Sequence, residues 1–275
     1  MLQEEYPSYF DAEYFEKILQ KKFKNSAVKV NNVRFEPCGG VLSYIFRTFV
    51  NYHMSSDDGV ESFVIKLPAK HELAIKKVGP GSHDVHNKEM NFFEIVAPQL
   101  EKILNKVGVE NIFTKIVAVD REHEAIIFED LIPQGFDMTE KSIGFDELQT
   151  KITLKKLADF HAASVFVQEK HPKVFDTFKL GMFSRKIDAF NDTHESIFNF
   201  VVEEVSTWPG FEKYAEKLQK MKPNLIENLL SCFDVKPEDF CVLNHGDLWT
   251  SNIMFKAGDD GVTVDAVMVG KSKMT

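Results

Sequence analysis

The stretch VLNHGDLWTSNIMFK, Val242 to Lys256, sets His245, Asp247 and Asn252 in one short polar loop between apolar flanks. The pattern is H-x-D with an Asn five residues after the Asp. A carboxylate and a carboxamide at that spacing can converge on one site if the residues between them turn. Cys241 to Leu243 is expected to form a strand entering the loop and Ile253 to Phe255 a strand leaving it, so that Asp247 and Asn252 bracket a tight turn. The bland alternative is a polar turn between two buried strands. H-x-D alone would leave that alternative ahead, but Trp249 and the run NIMF make the whole string far rarer by chance.

Working outward, Ser8 to Lys22 begins with S-x-x-D and places Phe15, Ile18 and Leu19 on one face, which predicts a capped amphipathic helix. Ala27 to Glu36 and Leu42 to His53 are strand-like, rich in Val, Ile, Phe and Tyr. Ser55 to Gly59, with its Asp-Gly, is expected as the turn into a third strand, Phe63 to Pro68 (FVIKLP). Glu89 follows in HNKEMNFFEIVAP, a helical stretch with Phe92, Phe93 and Val96 as a core stripe and Pro98 opening a second short helix. Thr114 to Val119 and Ala125 to Phe128 form another hairpin, which delivers Glu129, Asp130 and Leu131 to a linker marked by Pro133 and Gly135. From Phe145 the chain turns helical, with Leu148, Ile152, Leu157, His161 and Val165 as the expected buried face up to Pro172. On that face His161 reads as a satisfied core histidine. Two more helices are expected near Ile187 to Ser206 and Phe211 to Phe233.

These positions, in this order, resemble the ecdysteroid kinase-like family within the aminoglycoside phosphotransferase and choline kinase group. HGDLWTSNIMF is similar to that family's catalytic loop, FVIKLP to its ATP-binding Lys strand, IIFEDL to its hinge, and LADFHAAS, Leu157 to Ser164, to a long helix of its second lobe. The resemblance implies an α+β, protein kinase-like fold of two lobes. Residues 1–131 would form an N-terminal lobe of antiparallel sheet plus helix, and residues 132–275 an incomplete, mostly helical C-terminal lobe. It implies ATP and Mg2+ as cofactors and a small-molecule alcohol, an ecdysteroid among the candidates, as acceptor. Asp247 would be the base that takes the hydroxyl proton and Asn252 a metal ligand. Lys66, held by Glu89, would meet the α- and β-phosphates. Glu129, Asp130 and Leu131 would line the adenine site, and His245 would brace the loop. Cys38 to Gly40 (CGG) falls where a phosphate-covering loop is expected, although Ser43 and Arg47 in SYIFR match the family's spacing better. Helices after residue 187 would shape the acceptor pocket, with Trp208 and neighbouring Phe residues as possible contacts beside a majority role in core packing.

The resemblance stops at Val269. The family continues with Asp-Phe-Gln, whose Asp holds a metal, whereas this chain reads VTVDAVMV and then GKSKMT, with Gly270 at the metal position. Asp265 lies five residues earlier on a strand, roughly 16 Å away, so it is not expected to substitute. Asp259 and Asp260 belong to a solvated Gly-Asp-Asp-Gly hairpin. Gly-Lys-Ser can be encoded as a G followed by GTAAGT, a common splice-donor sequence, so Gly270 to Thr275 is expected to be translated intron. Without the second metal ligand, turnover should fall by roughly 10³ or more. Uncovered apolar surface on the second lobe should favour aggregation. A non-catalytic protein that binds nucleotide or steroid is the alternative from another class.

Composition fits this reading. At 275 residues, 44% hydrophobic and 27% charged, the chain can bury a substantial core. The net charge of −9, with no long Lys/Arg block, argues against a nucleic-acid surface. Three cysteines, Cys38, Cys232 and Cys241, without a CxxC pair suit a reducing, cytoplasmic compartment and no disulfides. The start lacks an apolar signal segment, and no run of about 18 apolar residues predicts a membrane span. Twenty-five Phe are expected mostly inside.

Overall fold

The computed structural model describes residues 6–39, 43–55, 57–68, 82–179, 191–236, 238–258 and 264–268. Helix α1, Ala12–Phe23, lies against a five-stranded antiparallel sheet built from β1 (Lys29–Gly39), β2 (Ser43–Met54), β3 (Asp57–Pro68), β4 (Ile116–Asp120) and β5 (Ala125–Glu129), in the order β1-β2-β3-β5-β4. The sheet follows from alternation. Ala125 and Ile127 face one side with Phe46, Val50, Phe63 and Ile65, packed on Phe15 and Leu19 of α1. Ile126 and Phe128 face the other, together with Met90, Phe93 and Val96.

That second side is covered by α2 (Ser82–Asn91), which runs through one π-helical turn, Phe92–Val96, into α3 (Ala97–Leu104). Phe92, Phe93 and Val96 are all buried, as their spacing predicts. Phenylalanine dominates here through edge-to-face contacts: Phe93 with Phe128 at 5.0 Å, Phe92 with Phe113 at 5.1 Å, and Phe113 with Phe160 at 5.4 Å. Strand β6 (Asp137–Met138) and helix α4 (Glu147–Lys170) follow. A capping box starts α4: the Asp146 side chain accepts from Gln149 N while Gln149 returns a bond to Asp146 N. Helices α5 (Asn191–Ser206), α6 (Glu212–Met221) and α7 (Leu225–Ser231) lead to β7 (Ile253–Ala257) and β8 (Val264–Met268), which complete a small sheet in the order β6-β7-β8.

Several expectations are corrected. Asp11, not Ser8, caps α1, its carboxylate accepting from Tyr14 N at 2.9 Å. Asp58 and Gly59 lie within β3 rather than in a turn, since Met54 already pairs with Asp57. Gly59 sits opposite Tyr52, and a Cβ there would come within 2.5 Å of the Tyr52 ring, so the glycine makes room for a cross-strand aromatic. Helix α4 is rotated from its expected face: Thr153, Phe160, Ala163, Ser164 and Val167 are buried, while Leu148 is exposed. Small residues at 163 and 164 suit the close approach of α3 and β8, against both of which α4 packs. The helix expected over Phe211 to Phe233 is two, divided by a 3-10 turn at Lys222–Asn224 that contains Pro223. No helix among the described residues is long and apolar enough to cross a membrane.

Candidate functional site

Lys66 and Val64 are two residues apart on β3 and so share the face covered by α2. Lys66 there meets Glu89 of α2, and its ammonium donates to both carboxylate oxygens. Lys66 is 3% and Glu89 2% exposed. A buried charge is tolerated when its partner is equally buried and well placed, and this pair satisfies that condition.

The loop beyond Val242 is irregular on entry. Cys241 to Leu243 is not a strand, because Leu243 N donates to a side chain, Ser164 Oγ of α4, at 3.0 Å rather than to a neighbouring strand. Ser164 Oγ itself donates to His161 O at 2.7 Å. The exit is the predicted strand, β7. Between them Gly246 has φ of 74°, a left-handed conformation that favours glycine, and Thr250–Asn252 makes one 3-10 turn.

That geometry brings Asp247 and Asn252 together. Asn252 Nδ2 donates to Asp247 O at 2.7 Å and to Asp247 Oδ2 at 3.1 Å. Asp247 N donates to His245 Nδ1 at 3.3 Å. Asp247 Oδ1 has no hydrogen-bond partner among the described residues, and Asn252 Oδ1 is the free end of its amide. His245 is buried, and its pKa is lowered to about 4, chiefly by burial and further by the Lys66 ammonium, against an opposing pull from Asp247. The imidazole is therefore neutral at pH 7, as an Nδ1 acceptor must be. The effect of Lys66 on His245 also places the β3 ammonium and the loop within electrostatic reach of each other.

The linker after β5 is held from the opposite side. Arg47 of β2 donates Nε at 2.9 Å and Nη2 at 2.5 Å to Asp130 Oδ2, while Asp130 Oδ1 accepts from Ile132 N at 3.1 Å. The Asp130 carboxylate is thus engaged within the protein, and any contact it offers a ligand comes through its backbone. Leu131 O accepts from Gln134 N and Phe136 N, and Glu129 Oε2 from Gln134 Nε2. Ser43, which opens β2, is buried with its hydroxyl unpartnered among the described residues. Of the expected phosphate-covering loop, Cys38 and Gly39 belong to β1 and Gly40 lies outside the described residues.

One carboxylate and one amide oxygen in a single loop fit a magnesium ion that takes its other ligands from phosphates and water. Among the described residues no cluster of three or more His, Cys, Asp or Glu could hold a metal without such help. Gly270, Asp259 and Asp260 lie outside the described residues. Asp265 pairs in register with Lys256, four residues beyond Asn252 and so roughly 13 Å along the strand. Its Oδ1 is bound by Lys156 at 2.9 Å. His161 departs from expectation, since its Nε2 is buried without a partner among the described residues and burial lowers its pKa. The three cysteines are free and exposed.

Ser164 and Arg47 are the supporting residues that sequence reasoning left without a structural role. Ser164 was visible only as part of LADFHAAS, and its partner lies 79 residues away.

Among solved structures, choline kinase LicA from Streptococcus pneumoniae is similar at 13% identity over 94% of this chain and 69% of that one, with a TM-score of 0.34. No curated protein matches. The model of the ecdysteroid kinase-like family matches residues 37–269, which include the Lys66 strand, the Glu89 helix, the segment Ile126 to Leu131 and the whole His245 to Asn252 loop, and the chain belongs to that family.

Proposed function

We propose that the chain is an ATP-dependent small-molecule kinase of two lobes, 1–131 and 132–275, that transfers a phosphoryl group to an alcohol, with ecdysteroids the first acceptors to test. The observation that supports it most is the buried Lys66–Glu89 pair within reach of a loop whose Asp247 keeps one oxygen free. Lys66, fixed by Glu89, holds the α- and β-phosphates. Backbone groups of Glu129, Asp130 and Leu131 line the adenine, and the unpartnered Ser43 hydroxyl offers a donor at the sheet's phosphate end. Asp247 Oδ1 accepts the acceptor's hydroxyl proton as the new oxygen–phosphorus bond forms and the bond to the ADP oxygen breaks. Asn252 is tied to Asp247 and has Oδ1 left for a metal ion. Magnesium, when bound there with the phosphates, supplies charge neutralisation at the leaving oxygens. His245, held neutral, keeps the Asp247 backbone in place without competing for the proton. Free cysteines and an acidic surface suit a reducing, cytoplasmic setting.

A second reading, nucleotide binding without turnover, is favoured by one observation: the sequence has Gly270 where the family supplies a metal-binding Asp, while Asp265 is engaged by Lys156. One assay separates the two readings. The chain and Asp247→Asn are incubated with γ-labelled ATP, magnesium and a panel of apolar alcohols including ecdysteroids. Labelled phosphate ester formed by the chain and not by the variant supports the kinase. Magnesium-dependent ATP binding with no ester from either supports the second reading, and neither binding nor ester defeats both. Gly270→Asp is expected to raise any transfer toward the roughly 10³-fold that a metal-type electrostatic clamp contributes.

A further inference from the structure

Some lysines of this acidic chain are paired with acids, among them Lys22 with Glu61, Lys29 with Glu16 and Lys151 with Glu147. Lys102, Lys106 and Lys170 have no ion-pair partner among the described residues, and all three border one hollow of about 440 Å³ between α3 and α4. His171 adds a fourth basic group to its rim. The lining is apolar beneath: Val167 is buried, Ile103 is half-buried, and the lysine stems contribute methylenes. Gln99 also lines the hollow. Its Nε2 donates to Ile95 O at 2.9 Å, but its Oε1 is buried with no donor among the described residues, an arrangement that costs free energy unless something else fills it.

Helix dipoles account for part of this pattern. Lys102 lies in the last turn of α3 and Lys170 in the last turn of α4, where a cation offsets the carbonyl ends. One cation per helix end would serve. Lys106 and His171 stand at the same two helix ends, Lys106 in the 3-10 turn that extends α3 and His171 at the C-cap of α4, so four basic side chains gather around one apolar hollow.

We propose that this hollow binds a small amphipathic anion, an apolar chain or ring bearing one carboxylate or phosphate head. The apolar body lies on Ile103 and Val167, and the head meets the three ammonium groups. The volume falls within the roughly 300–1,000 Å³ of small-molecule sites. A protein partner would instead take a surface of about 800 Å² per side. No residue of the Asp247 loop or of the Lys66 pair takes part, so this site is separate from the proposed phosphotransfer.

The test is calorimetric titration of the full chain with decyl phosphate, decanoate, decanol and inorganic phosphate, each below any micelle-forming concentration and without ATP. Decyl phosphate or decanoate should bind at least about tenfold more tightly than decanol or inorganic phosphate, since each of those lacks one of the two contacts. Which of the two anions binds better identifies the head group. Lys102→Ala/Lys106→Ala/Lys170→Ala should weaken the better anion by at least about tenfold, and the triple arginine variant should restore it. All three side chains are at the surface, so an unchanged melting temperature verifies that the variants are folded. Equal binding by parent and alanine variant, inorganic phosphate binding as tightly as the alkyl anions, or no binding at all would overturn the proposal.

Discussion

At the scale of single residues, Lys66 and Glu89 have left water together, and each places an opposite charge directly against the other. Lys66→Met should cost about 3–5 kcal/mol, because the buried Glu89 carboxylate loses this ammonium, whereas Lys66→Met/Glu89→Leu should recover most of that loss. Urea unfolding of the two variants measures the difference, and equal losses would mean the pair is not coupled as described. His245 gives a pH prediction. Its folded pKa of about 4 lies below the ordinary histidine value near 6.5. Between those values the unfolded chain binds a proton that the folded chain does not, so stability is full above about pH 6.5 and falls as the pH drops toward 4. The contribution is about 3.5 kcal/mol at most, at roughly 1.4 kcal/mol per unit. His245→Asn keeps an acceptor for Asp247 N and removes the titration. Its unfolding midpoint should therefore lose less between pH 7 and pH 5 than the parent's, and parallel losses would refute the buried neutral imidazole. Both residues were legible in the sequence, Lys66 because Glu89 follows it on a helix in the order of the resembled family and His245 because it opens the loop motif. The direction of the His245 shift was not legible, since it depends on burial and on a lysine 179 positions away in the chain.

Among the elements, α4 carries a role that its periodicity hides. Ser164 receives the Leu243 N–H, so the entry to the Asp247 loop hangs from a helix rather than from a strand. Ser164→Ala leaves that buried N–H unpaired and should cost about 1–3 kcal/mol, with faster hydrogen exchange at Leu243 as the local readout. Unchanged exchange would place the anchor elsewhere. The strand expected at Cys241 to Leu243 failed for this reason: apolar residues in a row suit a strand or any buried segment, and only the available hydrogen-bond partner decides between them. The face of α4 was misplaced because packing against both α3 and β8 rewards small residues such as Ala163 and Ser164, which carry little hydrophobic signal. The sheet was far more readable. β5 is covered on both faces, so Ala125 to Phe128 are all buried, with alternate residues packed toward α1 and toward α2, and such an unbroken apolar run is plain in the sequence.

Over the whole molecule, Lys156 joins distant parts of the chain. Its ammonium donates to Glu110 O and Asn111 O at 3.0 Å each and pairs with Asp265 at 2.9 Å, tying α4 to the segment before β4 and to β8. Backbone bonds between Met268 and residues 112 and 114 reinforce the same junction. Lys156→Met should cost about 1.5–3 kcal/mol, the worth of charge-assisted bonds, and a loss below about 0.5 kcal/mol, the range of ordinary surface changes, would show the junction to be carried by the backbone alone. This link joins residues more than a hundred positions apart, and no local pattern announces it. On the proposed function, Lys66 and the Asp247–Asn252 loop form one nucleotide site. Calorimetric titration of ATP, with and without magnesium, into the chain and into the folded Lys66→Met/Glu89→Leu variant tests it most directly. Magnesium-dependent ATP binding that the double variant weakens by at least about tenfold, or 1.4 kcal/mol, is expected; ATP binding that is absent from the chain, or equal in both proteins, would rule out a shared site.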